Sequence, residues 1–191
     1  MAWRGDAVRC PADAELRAAI RNKPVSDLTR RKDRIADGLW NLECASRSKY
    51  SVHTPRPADL SVEHVLPQAW MTRWPLGDGR TAPADKLTGA DEAMLAAIHL
   101  REAALQTLGN LSLVTVPGNG TASNRAFGDK KLWLRGSLLA LNLSIPEPAT
   151  WDEAAIAQRA DAPWPTWPSW CGPGPVCHDG HRAVAAMTWQ G

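Results

Sequence analysis

A chain of 191 residues, 44% hydrophobic and 22% charged, is long enough to bury one domain core and has the mix of an ordinary soluble globular protein, not of a disordered or membrane-embedded one. Its net charge of +2 means that bulk electrostatics alone do not mark a nucleic-acid binder. Ten Trp against one Tyr and one Phe leave Trp to supply nearly all the aromatic packing.

Residues 12–22 place Ala14, Leu16, Ala19 and Ile20 at helical spacing, and Pro24 closes that helix. Ser26-Asp27 offers a cap for a second helix to about residue 45, with Leu28, Ile35, Leu39 and Leu42 on one face and arginines on the other. Residues 46–59, with Pro55 and Pro57, read as a connector, and 61–66 as a first strand that Pro67 ends. Pro75, Gly77, Gly79, Pro83 and Gly89 make 70–90 an exposed loop. Asp91 caps a helix to residue 108 whose apolar stripe is Met94, Leu95, Ile98, Leu105 and Leu108, and Gly109 stops it. Residues 110–116 are a second strand and 117–121 a turn. Ser123 or Asp129 then starts a helix through Leu132, Leu134, Leu138, Leu139 and Leu141. Thr150 with Glu153 three residues on forms a capping box for a last helix to about 160, and the Pro- and Trp-rich stretch beyond is a tail.

Two basic clusters stand out: Arg21, Lys23, Arg30, Arg31, Lys32 and Arg34, then Arg125, Lys130, Lys131 and Arg135. Either can be a solvated helix face, but the second follows directly on the second strand. Lys130 and Lys131 at a helix start oppose the helix dipole, which an anionic partner would explain. Cys10, Cys44, Cys171 and Cys177 are scattered, residues 1–11 lack the apolar stretch of a secretory signal, and no run reaches the length of a membrane span. The expectation is a cytoplasmic protein with idle or buried thiols.

The two strands can pair as a hairpin whose open end displays Glu63, His64 and Asn110 together. Phosphodiester hydrolysis needs a base for water, a cation for the charge that builds on the phosphate, and a frame that aligns them. Histidine serves as a base near neutral pH because its unperturbed pKa is roughly 6.5. A hard cation such as Mg²⁺ prefers oxygen ligands and needs only one or two protein groups. An acid, a histidine and later asparagines make a minimal kit for that chemistry.

The blocks Glu63-His64-Val65-Leu66-Pro67-Gln68 and Leu108-Gly109-Asn110-Leu111-Ser112-Leu113, then Asn119, Ser123-Asn124, Phe127, Lys130 and Trp151-Asp152-Glu153 with Ile156 and Arg159, follow in order. Across roughly residues 28–159 they resemble the HNH (His-Me finger) nuclease domain at the C-terminal end of GmrSD-type modification-dependent restriction endonucleases. The resemblance implies an α+β, mostly helical fold with a ββα-metal hairpin-plus-helix core among flanking helices. The nuclease domain would cover 1–160, with a helical part at 12–45, the core at about 60–142, a closing helix at 150–160 and a tail at 161–191. It also implies His64 as general base, Glu63 as metal ligand or orienter, and Asn110 bracing the His-bearing loop. Asn119, nine positions on, or Asn124 would be a further ligand of Mg²⁺ or Mn²⁺. Lys130 would face the scissile phosphate, and Arg125, Lys130, Lys131 and Arg135 would contact DNA.

The partners implied are DNA and an N-terminal sensor and nucleotide-hydrolysing domain, or a separate subunit, that this chain does not resemble. No cysteine pair of the kind that pins many HNH fingers through zinc occurs, so packing by Trp70, Leu111, Leu113, Phe127, Leu132 and Trp133 must hold the core. Cys171, Cys177, His178 and His181 do not have the spacing of a usual zinc finger, and His53 and His99 read as surface residues. A non-catalytic DNA-binding or assembly module on the same fold is the alternative, and a nuclease toxin a third reading.

Overall fold

The computed structural model describes residues 13–28, 31–47, 55–115, 125–137, 139–143, 145 and 149–161. Its elements are α1 (Asp13–Asn22), α2 (Val25–Leu28), α3 (Lys32–Ser46), β1 (Leu60–His64), α4 (Glu92–Leu105), a 3₁₀ turn (Leu108–Asn110), β2 (Leu111–Thr115), α5 (Phe127–Gly136), α6 (Ala140–Leu143) and α7 (Glu153–Asp161). The class is α+β, mainly helical, with one two-stranded antiparallel sheet. No helix among the described residues is long and apolar enough to cross a membrane.

The strands pair with His64 opposite Leu111, Glu63 opposite Ser112 and Leu60 opposite Thr115. Alternation divides β2 between two apolar clusters. Leu111 and Leu113 pack with Leu39, Trp40 and Leu42 of α3 and with Leu141 of α6, and Leu60 and Val62 lean on the same side. Val114 joins Val65, Leu66, Trp70, Ile98, Leu134 and Ile156 on the other. β1 ends at His64, before the expected 66, and β2 begins at Leu111, after the expected 110, while Val116 lies outside the described residues. The cause is local: the main-chain N–H and C=O of Leu66 both bond the Asn110 side chain, which turns the chain out of the ladder.

Several expected boundaries shift for identifiable reasons. Ser26-Asp27 lies within α2 and does not cap the long helix. Val25 is buried and its amide donates to the Gln106 carbonyl at 2.8 Å, so the chain turns there, and α3 starts after an extended Arg31 with no side-chain cap. Asp91 does cap α4, accepting from the Met94 amide at 2.7 Å. That helix ends at Leu105, before Gly109, where the Thr107 hydroxyl and amide both bond the Ala104 carbonyl. The helix expected from residue 123 or 129 through Leu141 is two helices. Asp129 sits inside α5, which follows an uncapped Ala126, and Leu132, expected in the core, is 71% exposed. At α7 the cap is Asp152, which accepts from the Ala155 amide at 2.9 Å, in place of Thr150.

The stretch 70–90 is irregular but not the exposed loop expected from its Pro and Gly content. Trp70, Trp74, Leu76 and Ala82 are buried in it. Arg101, 1% exposed, holds the stretch by donating to the carbonyls of Trp74 (2.8 Å) and Pro75 (3.0 Å), lies 4.8 Å over the Trp70 ring, and pairs with Glu153. A buried guanidinium of this kind organises loop backbone that has no strand or helix to satisfy it. Cys44 on α3 is disulfide-bonded, against the expectation that most of the four thiols are buried or idle.

Gly109 has a different task from the helix stop expected of it. It lies in the 3₁₀ turn packed on α7, where an added Cβ would run into the Ile156 carbonyl oxygen and meet Ala160 Cβ at 3.2 Å. Because the nearest atom is backbone, α7 must move to admit a methyl. Gly109→Ala is expected to cost about 1–3 kcal/mol in urea unfolding, and a change within a few tenths would show that α7 sits further off.

Candidate functional site

The end of β1 is where the chain brings the expected residues together. His64, half-buried, places Nε2 3.3 Å from Oε1 of Gln106, which follows α4. With the amide oxygen accepting, Nε2 carries the ring proton and Nδ1 carries the lone pair. Just beyond, Asn110 is fully buried and all four of its side-chain bonding positions are used. Its Oδ1 accepts from the Leu66 amide (2.8 Å) and from Trp151 Nε1 (3.1 Å), while its Nδ2 donates to the carbonyls of Leu66 (3.0 Å) and Leu105 (2.9 Å). Its own carbonyl takes the Val65 amide at 2.9 Å. One amide side chain thereby joins the turn after His64, the end of α4 and the segment that leads into α7.

Glu63 stands on the opposite face of β1 from His64, since neighbours along a strand alternate. It is 6% exposed, and its Oε1 lies 2.6 Å from the ammonium of Lys130 on α5, itself fully buried. The same ammonium donates to the His64 carbonyl at 2.6 Å. Lys130 was expected at the scissile phosphate. The structure instead turns it inward, because an ammonium withdrawn from water needs a carboxylate and carbonyls around it. Burial pushes the Glu63 carboxyl up against the pull of Lys130, and pushes the Lys130 ammonium down against the pull of Glu63. α5 is seated by Phe127, whose ring lies 5.6 Å from Trp74 and 6.0 Å from Trp151.

Other residues that sequence reasoning passed over also build this centre. Arg159 of α7, 6% exposed, donates to the carbonyls of Gly109 (2.8 Å), Leu111 (2.7 Å) and Leu141 (3.3 Å), and burial lowers its pKa to about 10. Ser112, opposite Glu63, bonds Asn142, which also donates to the Leu113 carbonyl at 2.9 Å. Buried Glu43 accepts the Ala140 and Leu141 amides at 3.2 and 2.8 Å, anchoring α6 to α3. Ser112, Trp151 and Arg159 stood among the resembling blocks, but Gln106 and Glu43 had no local signal, since each meets its partner across a long stretch of chain.

Arg125, just before α5, and Arg135 on it are exposed, while Lys131 is half-buried with its ammonium 5.3 Å from the centre of the Phe127 ring. Arg21 and Arg31 of the first basic cluster pair with Asp161 and Asp33. Asn119, Asn124, His53, Cys171, Cys177, His178 and His181 lie outside the described residues. Among the described residues no group of three or more His, Cys, Asp or Glu side chains could hold a metal, and one oxygen of Glu63 carries the Lys130 ammonium.

No curated protein and no solved structure matches this chain. The model of the family described as "GmrSD restriction endonucleases, C-terminal domain" matches residues 10–162, a span that contains the whole of the β1–α7 assembly. The chain therefore belongs to the C-terminal domain family of the GmrSD restriction endonucleases.

Proposed function

We propose that this chain is an HNH-type DNA endonuclease domain that hydrolyses phosphodiester bonds, with His64 as general base, in a bacterial restriction system against foreign or modified DNA. The observation that carries this reading is the setting of His64 in a chain of this family. Its ring stands at a strand end, held from one side by Gln106, and the following turn is fixed by Asn110. Nδ1 takes a proton from water as the water oxygen attacks phosphorus, and the bond to the leaving oxygen breaks. Asn110 keeps the backbone that carries the base from drifting, so the attacking water and the ring stay aligned.

A divalent ion, Mg²⁺ or Mn²⁺, belongs to the proposal on the strength of the resemblance, with Asn119 or Asn124 as an oxygen donor. When bound it would neutralise charge on the phosphate and the leaving oxygen. An N-terminal sensor domain or a separate subunit would deliver the DNA. The test is conversion of supercoiled plasmid in Mg²⁺ or Mn²⁺ by the parent and by His64→Ala. Cutting by neither protein, with DNA binding by both, would favour a non-catalytic module.

Arg125, Lys131 and Arg135 would follow the DNA backbone. Neutralising all three is expected to weaken binding alike for all base sequences, and to flatten the plot of log affinity against log salt by about 0.9 per lost phosphate contact. An unchanged slope in a fluorescence-anisotropy titration would remove this face from the interface.

A further inference from the structure

Glu63 and Lys130 are the two charged side chains that face each other behind the strand carrying His64, with side-chain exposures of 7% and 0%. The ammonium is 2.6 Å from Glu63 Oε1 and 2.6 Å from the His64 carbonyl. Glu63 shares its strand face with Ser112 and Val114, while His64 shares the other with Leu111. A divalent ion on Glu63 would stand beside a positive charge that has no route to solvent. Like charges so placed repel far more strongly than in water, and withdrawing the carboxylate would leave a buried cation without its counter-charge.

We propose that Lys130 supplies the cation at Glu63, so that the pair is a fixed brace on the His64 peptide and Glu63 stays outside the coordination shell of the divalent ion. The two are positioning residues: they reach neither DNA nor metal, and act by tying α5 to the main chain of the base. The ion and the role of His64 rest on the nuclease reading above, while the brace itself does not.

Nuclear magnetic resonance of the lysine ammonium groups in the full chain tests the brace directly, with Lys130→Met assigning the signal. The expected result is a Lys130 ammonium signal protected from solvent exchange and unmoved by Mg²⁺. A signal that is absent, or that Mg²⁺ releases to exchange, overturns the proposal. In parallel, Mn²⁺ is titrated into the parent, into Glu63→Gln, and into the double variant Glu63→Gln/Lys130→Met, which leaves no buried charge.

Affinity in both variants within about twofold of the parent, with their plasmid cleavage slowed about tenfold in kcat at unchanged KM, is the expected pattern. A loss of Mn²⁺ affinity of about tenfold or more in Glu63→Gln places that carboxylate on the ion and overturns the brace. If the double variant does not fold, the single variant and the ammonium signal decide. A parent that cuts no DNA sinks the nuclease reading instead, since the protected ammonium is observed with or without activity.

Discussion

Asn110→Ala is expected to remove about 4 kcal/mol or more of stability, because four groups lose their partner together: the Leu66 amide and carbonyl, the Leu105 carbonyl and the Trp151 indole N–H. Each buried group left unsatisfied costs about 1–3 kcal/mol, and water has little room to replace an amide at a position with no exposure. Asn110→Asp separates hydrogen bonding from size. It keeps the accepting oxygen and turns the donor to the Leu66 and Leu105 carbonyls into a second acceptor, so it is expected to be about as damaging. Urea unfolding of the two variants checks this, and a loss below about 1 kcal/mol in both would mean that the amide is not the joint described.

His64→Ala is expected to behave in the opposite way, with little change in stability and a fall in plasmid cleavage of about 10²–10⁴-fold, the range that general-base catalysis contributes. The ring is half-buried at the end of β1 and its contact with Gln106 is long, so its removal disturbs little of the core. Circular-dichroism melting beside the cleavage assay keeps the two effects apart. Parent-like cleavage by a folded His64→Ala would remove the histidine from the reaction. Loss of cleavage together with a collapsed melt would make it a structural residue.

Local signals gave the parts of this fold that local physics decides. Asp91 caps α4 as its position before an apolar stripe implied, and the two short apolar runs pair in antiparallel register with Glu63 and His64 at the end. The stretch 70–90 reads as exposed because its Pro and Gly speak only of turns, whereas Trp70, Trp74, Leu76 and Ala82 pack into the core and Arg101 of the following helix satisfies the backbone of Trp74 and Pro75. Gly109 reads as a helix stop in the sequence because its reason lies in α7, against which it packs. Lys130 looked like a hand held out to phosphate for the same reason: its exposure depends on Glu63, which no spacing rule links to it. The acid, the histidine and the first asparagine of the site were visible as residues, but the pairing that joins Glu63 to Lys130 and Asn110 to Trp151 belongs to tertiary structure.

The two strands are adjacent in space yet separated by residues 65–110, a stretch that includes α4 and much of one apolar cluster. Closing so wide a loop is slow, since its entropy is lost before the strand contacts repay it. During synthesis His64 leaves the ribosome long before Asn110, and Asn110 before Trp151. A ribosome-bound or truncated chain that ends before Trp151 therefore holds His64 without the frame that fixes the turn after it.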